Sequence, residues 1–143
     1  MKKIILFILL IVGLFLILFF RWYNTNLNKL NEIKSFNEEL EPFTKKEGIS
    51  GVELTTLMYK AIDENTKNKV EKDKTGRYIN NKKNSLEITI VIDKSGNLYP
   101  MEAFELIGIE DFKDKFDTAR FKVTRIMKHE SGRISRIDFE IME

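Results

Sequence analysis

Residues 121–141 read FKVTRIMKHESGRISRIDFEI. Phe121, Val123, Arg125 and Met127 alternate on one side of Ser131-Gly132, and Ile137, Phe139 and Ile141 alternate on the other. Alternation of period two around a Ser-Gly turn marks an antiparallel hairpin with one face on a core. Upstream, Leu86, Ile88, Ile90 and Ile92 alternate with Glu87, Thr89, Val91 and Asp93, which predicts a half-buried strand. Asp93-Lys94-Ser95-Gly96 reads as a turn that brings the chain back at Leu98 and Tyr99. Between these strands and the hairpin, Pro100 opens a short helix through Ile107 and Gly108 stops it. A second short helix follows, with Ile109, Phe112 and Phe116 on one side.

Before the strands lies Ile49-Ser50-Gly51-Val52-Glu53-Leu54. Ser50 is placed to cap the backbone N–H of Glu53 while Glu53 reaches back to Ser50, and Ile49 with Leu54 forms a hydrophobic staple. The helix so started runs to about Glu64, with Leu54, Leu57, Met58, Ala61 and Ile62 on one face. Residues 65–84 differ in character: Lys67, Lys69, Lys72, Lys74, Arg77, Lys82 and Lys83 stand against Glu71 and Asp73. That stretch reads as a solvated flexible loop, with Asp73-Lys74-Thr75-Gly76 tipping a small hairpin that ends at Tyr78 and Ile79. Helix, strands, short helices and hairpin, with no repeating βα unit, predict an α+β domain: a small antiparallel sheet packed by one amphipathic helix and two short helices.

The N-terminal side is of another kind. Met1, Lys2 and Lys3 precede Ile4–Phe20, which is apolar except for Gly13. At about 1.5 Å per residue the run reaches roughly 25 Å as a helix, near the lower limit for a bilayer core. Arg21, Trp22 and Tyr23 supply the headgroup-level flank. A cleaved signal peptide has a shorter apolar core and small residues at its cleavage site, and Leu18–Tyr23 offers none. Lys2 and Lys3 favour a cytoplasmic N-terminus, against Arg21, Lys29 and Lys34 on the other side. From Asn24 to Leu40, Leu27, Leu30, Ile33, Phe36 and Leu40 wrap around a helical stem that Pro42 ends. The expected organisation is a transmembrane signal-anchor over 1–21, a helical stem and linker over 22–48, and an extracytoplasmic α+β domain over 49–143.

Composition excludes several classes of chemistry. Of 24 Lys and Arg, Lys2, Lys3 and Arg21 flank the apolar run, which leaves 21 against 22 Asp and Glu, so no net field points to nucleic acid. Zero cysteines remove disulfides, thiolate chemistry and a lipoprotein anchor. The single histidine, His129, sits near the hairpin tip and reads as an exposed residue with no second His or Cys to join it on a metal. No G-x-S-x-G elbow is present. Glu102, Glu105, Glu110, Asp111, Asp114 and Asp117 cluster in sequence, but on amphipathic helices where acids face solvent. Glu87 and Asp138 are the acids to examine next on the sheet face. No catalytic, cofactor-binding or metal residue is assigned, and no cofactor.

With the Ile49-Ser50-Gly51-x-Glu53-Leu54 opening, Asn80–Ile88 leading into the long strand and the closing Phe121–Phe139 hairpin, the chain resembles uncharacterised small single-span membrane-anchored proteins of low-GC bacteria. That resemblance implies neither an activity nor site residues. The layout is also similar to pilin-like proteins, although the processing Gly and following Glu of that pattern are missing around Ile4–Phe20. The expected role is a membrane-tethered, non-enzymatic binding module of the cell envelope, on the cytoplasmic membrane with its N-terminus inside and its C-terminal domain outside. Its expected partners are the lipid bilayer through residues 4–20 and a protein or envelope component. The alternatives are a structural subunit of a pilin-like or secretion assembly and a small envelope hydrolase.

Overall fold

The structure is a computed structural model that describes residues 2–44, 47–93 and 96–142. The turn expected at Asp93-Lys94-Ser95-Gly96 lies partly outside them, at Lys94 and Ser95. Two compact units are present, one through Ser35 and one from Phe36 onward. The first is most of α1 (Lys2–Leu40), an unbroken helix of 39 residues. Ile4–Phe20 leaves its side chains exposed throughout apart from half-buried Gly13. Among the described residues α1 is the one helix long and apolar enough to cross a membrane, which fits an anchor and equally a signal sequence.

The second unit begins earlier than the Ile49 boundary expected from sequence, because Phe36 and Leu40 at the end of α1 are buried in its core. A 3₁₀ turn, Glu41–Thr44, ends the helix at Pro42. β1 (Ile49–Ser50) then leads into α2 (Gly51–Lys67). The capping box forms as its sequence requires: the Glu53 N–H donates to Ser50 Oγ at 3.2 Å and the Ser50 N–H donates to Glu53 Oε2 at 2.8 Å. Leu54, Leu57, Met58 and Ala61 are fully buried. Then come β2 (Glu87–Val91), β3 (Tyr99–Pro100), α3 (Met101–Ile107), α4 (Ile109–Phe116), β4 (Arg120–Lys128) and β5 (Ile134–Ile141). Gly108, at φ +101°, separates the two short helices where an L side chain would be strained.

The five strands form one sheet in the order β1-β4-β5-β2-β3. The β4–β5 hairpin, β1–β4 and β2–β3 are antiparallel, but β2 and β5 run parallel, Ile88 opposite Ile137 and Ile90 opposite Phe139. The sheet is therefore mixed, which corrects the antiparallel expectation. After β3 the chain crosses through α3 and α4 to the far side, and the closing hairpin then inserts β5 between β4 and β2 in the direction of β2. One face of this central parallel pair is buried in the core, and on the other Thr89 and Asp138 are buried among polar and charged neighbours. Ile88, Ile90, Ile137 and Phe139 point into the core with the buried residues of α2, α3 and α4, while Thr89, Ser135 and Asp138 are buried though polar. An aromatic cluster closes one end of the core, with the Phe112 ring 4.7 Å from Phe104, 4.8 Å from Phe116 and 5.9 Å from Phe121.

β4 departs from strict alternation. Val123 pairs with Phe139 and Arg125 with Asp138, so Thr124 is an extra residue, a β-bulge. Arg125 and Met127 consequently lie opposite Asp138 and Arg136, on the face away from Phe121 and Val123, and Ile126 takes the place opposite Ile137. Phe121, Val123, Arg125 and Met127 therefore do not share one face, which corrects the expectation from their spacing.

Candidate interaction surface

The open face of the sheet carries charged and polar side chains from four segments, β2, β4, β5 and the basic loop. Asp138, almost completely buried, accepts hydrogen bonds at Oδ1 from the Thr89 hydroxyl and from Arg136 Nε, the latter at 2.5 Å. Arg136 also lies 3.6 Å from Glu87, and Glu87 lies 3.7 Å from Arg77 in the basic loop. Arg125 stands 3.9 Å from Asp138 Oδ2 and Lys122 3.1 Å from Glu140. Partial burial pulls the Arg136 pKa down, but the bond to Asp138 and the charges of Glu87 and Asp138 outweigh it and leave the pKa raised. Glu87 and Asp138 thus come close through Arg136. Each carboxylate is spent on arginines.

The adjoining edge of the sheet is open. β1 pairs only with Phe121 and Arg120, and among the described residues no strand lies along Lys122–Lys128 on the side away from β5. Thr124–Lys128 is a run of consecutively exposed positions, including Ile126 and Met127 at 43% and 45% exposure. β4 carries Arg120, Lys122, Arg125 and Lys128 and no acid. Arg120 is spent locally, donating to the carbonyls of Glu47 and Gly48. The Lys128 side chain has no ion-pair or hydrogen-bond partner among the described residues.

The residues singled out from sequence fall elsewhere and do not converge. His129 is buried, not exposed as expected, because its Nε2 lies 2.9 Å from the Ser85 carbonyl and the end of the basic loop covers it. Glu102 is buried and accepts the Tyr78 N–H at 2.8 Å through Oε1, while its Oε2 has no hydrogen-bond partner among the described residues. Glu105 holds Lys72, Glu110 holds Lys113 and the Tyr59 hydroxyl, and Asp117 caps Thr118, so these acids point to different neighbours. Asp111 and Asp114 are exposed. Among the described residues no group of three or more His, Cys, Asp or Glu is placed to hold a metal ion.

Residues 65–84 are ordered by their asparagines instead of forming a loose loop. Asn65 is buried and bonds both the N–H and the carbonyl of Leu86 at 2.8 Å. Asn81 Oδ1 accepts the N–H groups of Lys83, Asn84 and Ser85. Asp73 closes the expected turn by accepting from Thr75 and Arg77, and Lys72 bridges to Tyr78 as a minimal hairpin. Five asparagines between Asn65 and Asn84, able to offer side-chain acceptors to backbone N–H groups, were the available signal for this order. The open β4 edge had a signal too, since RFKVTRIMK holds four cations and no acid.

No family model, curated protein or solved structure matches the chain.

Proposed function

We propose that this chain is a membrane-tethered, non-enzymatic binding module, held on the cytoplasmic membrane by Ile4–Phe20 with its N-terminus inside and the compact α+β unit outside. The observation that carries this reading is the contrast between the units. The first exposes an apolar side chain at nearly every position from Ile4 to Phe20, while the second is closed around a full core and pairs Glu64, Glu87, Glu105, Glu110 and Asp138 with cations. A helix with that surface avoids water only in lipid or against apolar partners. Lys2 and Lys3 set the orientation. The partner is a protein or envelope component met by the exposed surface of the second unit.

A second reading, a structural subunit of a pilin-like or secretion assembly, draws on one observation. α1 continues without a break from the apolar run to Phe36 and Leu40 in the domain core, the layout of a subunit that assembles through its N-terminal helix. Photo-crosslinking in cells separates the two. With a photoreactive residue at Tyr59, Leu106 or Met127 in turn, the binding-module reading predicts a discrete adduct with a different protein or envelope polymer. A ladder of self-adducts, strongest from positions in Ile4–Phe20, contradicts it in favour of the assembly.

A further inference from the structure

We infer that the free edge of β4, Lys122–Lys128, is the docking site for an extended acidic peptide segment, which adds to the sheet as a further strand; this rests on the binding-module reading and gives its partner a chemistry. Three observations carry it. First, β1 covers only the first two residues of β4, so the rest of the strand offers its outer edge to another chain. Edge strands in this state pair with extended segments, main-chain hydrogen bonds supplying affinity and alternate side chains specificity.

Second, the edge exposes apolar side chains between its charged ones. Ile126 and Met127 are adjacent, so they stand on opposite faces of the strand, and both are close to half exposed. A strand laid alongside covers part of each. Third, charge decides what that strand is. β4 holds four cations and no acid: Arg120 is taken up by the Glu47 and Gly48 carbonyls, Lys122 and Arg125 also approach Glu140 and Asp138 on β5, and the Lys128 side chain has no partner among the described residues. A second copy pairing β4 against β4 sets cation against cation, which destabilises a cross-strand pair, whereas glutamates or aspartates at alternate positions meet opposite charge. The edge thus disfavours self-association and favours an acidic partner. The register shifts at Thr124 and between Met127 and Lys128 leave Arg125–Met127 as the regular stretch.

The test uses the full chain in detergent micelles and three fluorescent peptides: Glu-Val-Glu-Val-Glu-Val-Glu, its Lys-Val counterpart, and the acidic peptide N-methylated on alternate backbone amides. Anisotropy should show saturable binding of the acidic peptide only. N-methylation should abolish it, since it removes the strand hydrogen bonds and keeps the charge. Lys128→Glu, at a side chain with no partner among the described residues, should weaken the acidic peptide about tenfold with unchanged melting. Ile126→Asp should weaken it as well. Equal binding of the N-methylated peptide, equal binding of the Lys-Val peptide, or no binding of the acidic peptide overturns the inference. A cellular cross-linked partner retained at full yield in Lys128→Glu also overturns it while leaving the binding-module reading in place.

Discussion

Gly51 is the residue on which the docking of α2 depends. Its N–H donates to the Ala119 carbonyl at 3.1 Å, and a Cβ built on it would lie 2.0 Å from the Phe116 carbonyl oxygen. Backbone cannot move aside as a flexible side chain can. Gly51→Ala should therefore cost at least about 3 kcal/mol, the upper end for overpacking, in urea melts of the full chain in micelles. Asp138 is the second such residue. Removing its carboxylate in Asp138→Ala leaves the partly buried Arg136 guanidinium without its closest counter-charge and the Thr89 hydroxyl without its acceptor, at a cost of about 3 kcal/mol. The double variant Arg136→Met, Asp138→Val should recover the part of that loss due to the unpaired guanidinium, because an apolar pair needs no desolvation, while Thr89 stays without its Asp138 acceptor. If the double variant is no better than the single, the pair is not what stabilises this face.

At the scale of elements, α2 and β2 hold the core together. Leu57 and Ile90 are fully buried, on the helix and on the sheet, so truncating either to alanine should cost about 2–5 kcal/mol. Lys69→Ala, at an exposed side chain in the basic loop, should stay within about 0.5 kcal/mol. Ser50→Ala removes the cap of α2 and should cost about 1 kcal/mol. The start of α2 was legible because a capping box is written within four residues. The strands were legible for a similar reason, since alternation is a property of the strand itself. Their partners were not. The parallel pairing of β2 with β5 joins segments far apart in sequence, and alternation states which face is buried without naming the neighbour. The Thr124 bulge escaped because Phe121, Val123, Arg125 and Met127 satisfy a strict period whose last two members are on the other face. His129 looked exposed because the segment that buries it, ending at Ser85, is distant in the chain. The candidate edge was half legible: the cations of β4 stand in the sequence, while its open flank follows only from the strand order.

For the molecule as a whole, stability against pH follows from surface pairs. The Lys60 ammonium hydrogen bond holds the Glu39 carboxyl below its usual value, the Thr75 hydroxyl does so for Asp73, and Lys113 with Tyr59 does so for Glu110. A folded pKa below the unfolded one, near 4, contributes stability that is complete above about pH 5 and lost as pH falls through the folded value. Lys72 beside Glu105 and Lys113 beside Glu110 are raised instead, so their contribution is complete below about pH 10 and lost as pH climbs past the folded values. The melting temperature should be level between these limits and fall on both sides, with smaller falls in about 1 M salt because the pairs are exposed. A melting temperature that rises below about pH 4 contradicts the pairing.

The most direct measurement of the central claim, a membrane-tethered domain displayed outside, exploits the absence of cysteine. A single thiol is introduced as Leu106→Cys, at a side chain 80% exposed in the compact unit, and intact wall-stripped cells are treated with a membrane-impermeant maleimide. The expected result is full labelling without permeabilisation, on a membrane-bound protein that still carries Ile4–Phe20. Labelling only after the membrane is opened, or a mature N-terminus beginning beyond Phe20, would contradict it.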